Sequence, residues 1–257
     1  MTLVRLGWRA ARTGTAFVIF GIGAIVLGVV VFPLLTVGAG RPRRELRVQR
    51  AIHLAFRTFV WVMRILGLIR VTWRGLERLR EPGARLIVAN HPTLIDVVLL
   101  IALLPQADCV VKEAAWRNRA MRRVVRAAGY VRNDAGPQVT GACAERLRAG
   151  RRLLLFPEGT RSPRAELGMF HRGAARIALA SGCGIVPVVI RCEPPTLGKG
   201  EPWFQVPDRT AHLTLDVQPA LSPEDYAAAH AAPGFAARRL TEDLHQLYER
   251  RLSHANV

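Results

Sequence analysis

Between Arg12 and Arg41 the chain carries no charge, and Thr15–Val37 is almost wholly apolar. At 1.5 Å per residue, about 20 helical residues cross the hydrocarbon core of a bilayer, so the run is long enough to enter or cross one. It is too long for a signal-peptide core, and no small-residue cleavage site stands out. It is therefore read as a retained hydrophobic helix over 15–37 that anchors the chain in a membrane. Arg5, Arg9 and Arg12 precede it, and Arg41, Arg43, Arg44 and Arg47 follow. A simple span favours arginine on one side. Two arrangements fit: a span with the richer C-terminal flank inside, or a hairpin that enters and leaves one leaflet. Pro33, Gly38 and Gly40 suit a bend.

A second helix is predicted over 43–70. Arg43, Arg50, Arg57 and Arg64 recur every seventh residue, nearly two helical turns, and so form one stripe. Ile52, Leu54, Phe56, Phe59, Val60, Trp61 and Ile65 lie between them. This is the pattern of an amphipathic helix in a membrane interface with its arginines at the headgroups; a helix docked on a globular domain gives the same letters. Residues 1–70 are thus expected to be an N-terminal anchor and 71–257 a separate domain.

From Ile69 onward short apolar runs alternate with helical stretches. Strands are expected at Ile69–Trp73, Arg85–Ala89, Cys109–Lys112, Arg152–Phe156, Ile185–Arg191 and Leu213–Val217. Helices are expected at Thr93–Leu104, Ala114–Ala128, Pro137–Ala149, Phe170–Ser181 and Phe235–Leu252, and one long loop at Glu193–Pro207. The alternation predicts an α/β domain with a mostly parallel sheet flanked by helices. In such sheets sites gather at the carboxyl ends of strands.

The formal net charge is +18, and all but two of the 37 cationic residues are arginine. Such a surface suits an anionic partner: an anionic bilayer, an acidic protein or nucleic acid. Zinc-finger spacing, an aromatic RNA-binding signature and a helix-turn-helix pattern are all missing, so no nucleic acid is expected. Cys109, Cys143, Cys183 and Cys192 show no CxxC spacing, and the histidines form no ligand-spaced pair, so no metal is assigned. Arg117, Arg119, Arg122, Arg123 and Arg126 fall on one predicted helix, either a docking face or a solvated one.

The stretch "LIVANHPTLIDVVLL", residues 86–100, sets a polar knot among apolar residues. Leu86–Ala89 is a strand, Pro92 fits the first turn of a following helix, and His91 stands at the corner. Five residues on a continuous helix turn through about 500°, but His91 precedes the helix and can fold back over its start. Asp96 can then accept the Nδ1 proton and leave Nε2 as a base. A His–Asp pair with no nucleophile of its own needs one from its substrate, such as an acceptor hydroxyl. On its own the spacing fits a structural histidine equally well.

The stretch "LLLFPEGTRS", residues 153–162, breaks a strand into Pro157-Glu158-Gly159-Thr160-Arg161. Proline and glycine shape a turn whose N–H groups can face an anion, and Arg161 adds a phosphate-binding fork. A plain turn has the same composition. Lys112 ends a strand at the same sheet edge, and Trp203 and Phe204 stand in the long loop; each reads as a site element or as ordinary surface.

Together "NHPTLID" and "FPEGTRS", with "GIVPVVI" at 184–190, resemble the lysophosphatidic acid acyltransferase family of glycerolipid acyltransferases, from about Trp73 to Val217. The resemblance implies that His91 is a general base oriented by Asp96. It implies that Glu158, Gly159, Thr160 and Arg161 bind an acceptor's glycerol phosphate, and that Pro187 shapes the pocket. It implies O-acyl transfer from acyl-CoA or acyl carrier protein to a lysolipid hydroxyl, with no metal or other cofactor, on the cytosolic face of a membrane carrying anionic lipids. One piece departs from the family pattern. In "GYVRNDAG", residues 129–136, Arg132 follows Gly129 by three, and Ala135 stands where an arginine is expected. Either Arg132 reaches the phosphate from a shortened loop, or the acceptor lacks glycerol phosphate in the usual place. Two rivals are a hydrolase using water at the same site and a basic, membrane-tethered binding protein.

Overall fold

The computed structural model describes residues 3–118, 121–133, 137–163, 166–230 and 232–253. Helix α1 (Leu3–Val26) runs through a π-turn (Leu27–Val31) into α2 (Phe32–Thr36). The Phe32 N–H reaches back to the Leu27 carbonyl, and Pro33, which has no N–H to give, follows at once. Gly38 takes a left-handed φ of 65°, and α3 (Arg41–Ile65) returns along the first helix. Arg47 Nη1 donates to the Leu35 carbonyl at 3.2 Å and Arg12 Nη1 to that of Leu66 at 3.2 Å. The Phe20 ring lies 5.1 Å from Phe59 and 6.1 Å from Phe56. The N-terminal elements are therefore an antiparallel helical hairpin.

One side of α3 belongs to the core of the sheet domain through Val48, Ile52, Val60 and Met63. Its predicted row, Arg43, Arg50, Arg57 and Arg64, is exposed. The outer side of the hairpin exposes Val18, Ile22, Ile25 and Leu34 together with Leu54, Trp61 and Ile65. Gly7–Thr36 is long and apolar enough to cross a membrane. The second helix ends at Ile65 rather than at 70, because Gly67 turns left-handed at φ 65° and a strand starts at Ile69.

Among the described residues seven strands form one sheet: β1 (Ile69–Arg74), β2 (Arg85–Ala89), β3 (Asp108–Lys112), β4 (Val131–Asn133), β5 (Arg152–Leu155), β6 (Ile185–Glu193) and β7 (Ala211–Val217). Their order is β1-β7-β6-β2-β5-β3-β4. Every neighbouring pair is parallel except β6 and β7, so the expected mostly parallel α/β sheet is present. Strand β4 was not expected: three residues with two polar side chains carry no apolar run to read.

The helices of the domain are α4 (Leu76–Arg80), α5 (Asp96–Ile101), α6 (Glu113–Arg117), α7 (Arg122–Ala127), α8 (Pro137–Arg148), α9 (Gly173–Ser181), α10 (Pro223–Ala229) and α11 (Pro233–Ser253). Side chains of α3, α5 and α7 fill the core on one face of the sheet, and those of α8, α9 and α11 the core on the other. The expected helix 114–128 is two helices; Arg119, part of its basic cluster, lies outside the described residues. The expected helix 93–104 starts only at Asp96, and Pro92 lies outside it. Its first residues are held in a turn instead, as described below.

A buried ionic cluster fastens the hairpin to the domain at the amino end of β3. Asp108 is fully buried. It meets Arg146 of α8 at 2.6 Å and Arg151 at 2.7 Å, and Gln49 of α3 donates to it at 3.0 Å. Arg151 also meets Glu45 of α3 at 2.9 Å. Gly129 packs so close to Glu45 that a Cβ there would come within 2.3 Å of its carboxyl carbon.

Candidate active site

Strand β2 delivers Asn90 and His91 at its carboxyl end. The Asn90 amide extends the sheet beyond the strand: Oδ1 accepts the Ile190 N–H at 2.7 Å and Nδ2 donates to the Ile190 carbonyl at 2.9 Å. The His91 backbone is fixed on both sides. Its N–H donates to Glu158 Oε1 at 2.9 Å, and its carbonyl accepts the Ser162 N–H at 2.7 Å. The imidazole stacks on Phe156 with centroids 4.3 Å apart.

His91 Nδ1 lies 2.8 Å from Asp96 Oδ2. The same carboxylate accepts the Thr93 N–H at 2.7 Å and the Thr93 hydroxyl at 2.5 Å. These two bonds, with the Leu94 N–H donating to the Leu197 carbonyl at 3.0 Å, hold 92–95 in a turn and delay the helix to Asp96. Burial pushes the Asp96 carboxyl up, and the hydrogen bonds from His91 and Thr93 pull it back. A carboxylate at Nδ1 keeps the proton on that nitrogen and leaves Nε2 as the basic one.

The turn after β5 stands beside this pair. Gly159 closes it with its N–H on the Phe156 carbonyl at 3.1 Å and a φ of 62°, a left-handed conformation that glycine takes without strain. Glu158 is buried, and its carboxylate is used up by backbone and neighbours. Besides His91 it accepts the Ser162 hydroxyl at 2.8 Å and the Gly168 N–H at 2.9 Å. Arg161 Nη1 donates to the carbonyls of Leu197 at 3.0 Å and Gly198 at 2.6 Å, so it ties the 193–207 loop to the turn. That loop in turn touches the anchor: the Trp203 and Phe17 rings lie 5.8 Å apart.

These elements surround a cavity of about 1190 Å³. Val97, Val110, Val111, Leu155 and Ile177 give it an apolar wall, and Lys112, Arg161, Arg172, Arg176 and Lys199 line it with cations. An imidazole, a cationic rim and an apolar trough share one space. Such a space can hold an amphiphile with a phosphate head and deprotonate a hydroxyl near that head.

Residues 70–191 match the family described as Acyltransferase. They contain His91, Asp96, the Phe156–Arg161 turn and Pro187. These residues are an acyltransferase domain.

The acyltransferase is 25% identical over 187 residues to a 1-acyl-sn-glycerol-3-phosphate acyltransferase of Pseudomonas aeruginosa, covering 70% of each chain. It is 34% identical over 117 residues to a lyso-ornithine lipid O-acyltransferase of the same organism, covering 44% of this chain and 45% of that one. It spans 36% of the length of a chloroplast relative from Arabidopsis thaliana. Its fold is similar to the crystal structure of the 1-acyl-sn-glycerophosphate acyltransferase from Thermotoga maritima. The TM-score is 0.73 at 19% identity, with 97% of this chain and 98% of that chain covered.

His91, Gly159, Thr160 and Arg161 line the acyltransferase's cavity, and Asp96 stands behind His91. Three other residues expected there are elsewhere. Glu158 turns its carboxylate away to brace the His91 backbone. Arg132 lies in β4, where strand alternation gives the cavity Asn133 instead. Pro187 is buried in β6 opposite Val88 of β2, and beside it the Tyr248 hydroxyl donates to the Val88 carbonyl at 2.6 Å and accepts the Val188 N–H at 3.1 Å. Ala135 lies outside the described residues.

Sequence reading missed Thr93 and Ser162, whose hydroxyls stand inside the two quoted motifs and orient Asp96 and Glu158. It also missed Arg172 and Arg176 at the start of α9. Their signal was legible: cations in the first turn of a helix oppose its dipole, which argues for an anion nearby.

Proposed function

We propose that this acyltransferase moves a fatty acyl group from acyl-CoA or acyl carrier protein to a hydroxyl of a lysophosphatidic acid-like glycerolipid. The observation that carries the reading is the His91–Asp96 pair opening on a cavity with a cationic rim. His91 Nε2 takes the acceptor's hydroxyl proton as its oxygen adds to the thioester carbonyl. The tetrahedral adduct then expels the thiolate, and the imidazolium returns the proton to that sulfur. Every atom of this step comes from the two substrates and His91, so it calls for no metal or other cofactor. Gly159, Thr160 and Arg161 bind the acceptor phosphate, with Lys112 beside them. The activity for which the Pseudomonas and Arabidopsis relatives are named supports this acceptor class.

Residues 1–70 serve as the anchor and 71–257 as the acyltransferase domain on the cytosolic side. The hairpin lies in one leaflet rather than spanning. Helix α3 is interlocked with α1, so a span would draw Arg50 and Arg57 into hydrocarbon, at about 2.5–3.5 kcal/mol each. Arg122, Arg123 and Arg126 are exposed on α7, and Arg123 packs beside Gly28 of the hairpin, where they meet anionic headgroups.

The test is an acceptor panel with the purified protein, an acyl-thioester donor and mass spectrometry of the product. Acylated lysophosphatidic acid is expected. Release of free fatty acid at a rate that ignores added acceptor would identify a hydrolase instead. A second reading, transfer to a lyso-ornithine lipid, is favoured by the 34% identity to that relative and by Ala135 at the expected arginine position. A dominant ornithine-lipid product would establish it.

A further inference from the structure

A groove of about 670 Å³ lies on the sheet face opposite α3, and the proposed reaction makes no use of it. Leu213, Leu215 and Val217 of β7 point into the core shared with Val48 and Ile52 of α3. By alternation His212, Thr214 and Asp216 face the other way, and so do Arg70 and Arg74 of β1 and Arg191 of β6. Arg209, and Arg251 from the end of α11, complete the wall.

Among the described residues five guanidinium groups thus share this space with two carboxylates, Glu193 and Asp216. Arg209 meets Glu193 at 4.0 Å. Among the described residues Arg70, Arg74 and Arg251 form no salt bridge. Arg191 donates to the Arg251 carbonyl, yet its Nε is buried with no partner among the described residues. Burial pushes its guanidinium down; Asp216 opposes this, and Arg74 and Arg251 add to it. Such convergence of like charge is unfavourable until an anion neutralises it. Forked donors arriving from several strands suit phosphate oxygens.

We propose that this groove is a second anion site, separate from the cavity beside His91, that takes the diphosphate-type group of a soluble ligand. A soluble ligand fits the placement, because the groove opens on the face of the sheet away from α3 and the apolar hairpin. The groove also begins one strand from the catalytic corner, since Ile190, which pairs with Asn90, directly precedes Arg191. Two sources share the chemistry: the phosphate-bearing head of a nucleotide acyl donor, and a free polyphosphate anion.

Hydrogen–deuterium exchange of the full chain in detergent, with and without inorganic pyrophosphate, tests the site without requiring turnover. Protection of 69–74 and 211–217 is expected in the wild type. It should be lost in the double variant Arg70→Gln/Arg74→Gln, whose melting temperature should hold or rise as like charge is relieved. Protection that is absent, or unchanged in the double variant, would overturn the proposal. So would protection of the same segments by phosphatidylcholine–phosphatidylglycerol vesicles with no soluble anion present, which would make the groove a lipid-facing surface. Kinetics of the double variant then identify the source. A rise of about tenfold in the KM for acyl-CoA, with the acceptor KM unchanged, assigns the donor's head. An unchanged donor KM with lost pyrophosphate protection assigns the free anion.

Discussion

Asp96 Oδ2 lies 2.8 Å from His91 Nδ1, and two bonds from Thr93 hold that carboxylate still. The imidazole is thereby aimed before any substrate arrives, because its ring is stacked and its backbone is tied at both ends. Removing it leaves those supports standing.

His91→Ala should therefore lower kcat for acyl transfer by about 10²–10⁴, with a melting temperature near that of the wild type. Turnover that survives the substitution would take the base away from His91. It would favour the rival in which the histidine is structural and the protein is a basic, membrane-tethered binder.

Glu158 separates a brace from a substrate ligand. In Glu158→Gln one acceptor oxygen is replaced by a donor, so at least one of His91 N–H, Ser162 hydroxyl and Gly168 N–H loses its partner. A loss of about 1–3 kcal/mol in stability is expected, with a fall in kcat and little change in acceptor KM. If acceptor KM alone moved and the melting temperature stayed put, the carboxylate would be contacting the acceptor.

The Asp108 cluster predicts a different phenotype. Asp108→Ala leaves Arg146 and Arg151 part-buried without their main counter-charge, at a cost of about 3–5 kcal/mol. Thermal unfolding in detergent should show a large drop in melting temperature. Activity at low temperature should persist, because the cluster sits at the end of β3 away from His91. A drop no larger than that of a surface substitution would contradict the network.

Alkaline pH should weaken the fold. Burial pushes the Cys109 and Cys192 thiols up to about 12 and Cys143 to about 11, from an ordinary value of 9.0, and it pushes the buried Tyr248 hydroxyl well up too. Above pH 9 the unfolded chain releases protons that the folded chain keeps. Stability is thus fully present below that value and is lost as pH rises toward the folded values. The melting temperature should decline through this window, and less steeply in Cys109→Ala. A flat profile would mean that the thiols are not buried as described.

How much of this was legible follows from the range of each signal. The sheet and the His91–Asp96 pair were readable because short apolar runs and a short motif are local. The role of Glu158 was not, because one of its donors, the His91 N–H, lies 67 residues away in sequence and another, the Gly168 N–H, lies outside the quoted motif. Pro187 looked like a pocket residue by its motif but is buried by its place between β2 and β7, which only the strand order reveals. The packing of α1 against α3 was not legible either, because it rests on contacts such as Arg47 with Leu35, which no hydropathy window contains.

Arg161 carries the last and sharpest test, because one nitrogen already has a task. Nη1 holds the Leu197 and Gly198 carbonyls, while the residue lines the cavity where an acceptor phosphate would lie. Arg161→Ala removes both roles and should raise acceptor KM more than donor KM. Arg161→Lys keeps the charge but not the fork. It should recover part of the acceptor affinity while the 193–207 loop exchanges hydrogen faster than in the wild type. If the lysine variant restored the loop but not the affinity, Arg161 would bind phosphate by geometry rather than charge. If Arg161→Ala raised both KM values equally, the residue would act on the loop alone, and the phosphate would have to be held by Lys112 or by the arginines of α9.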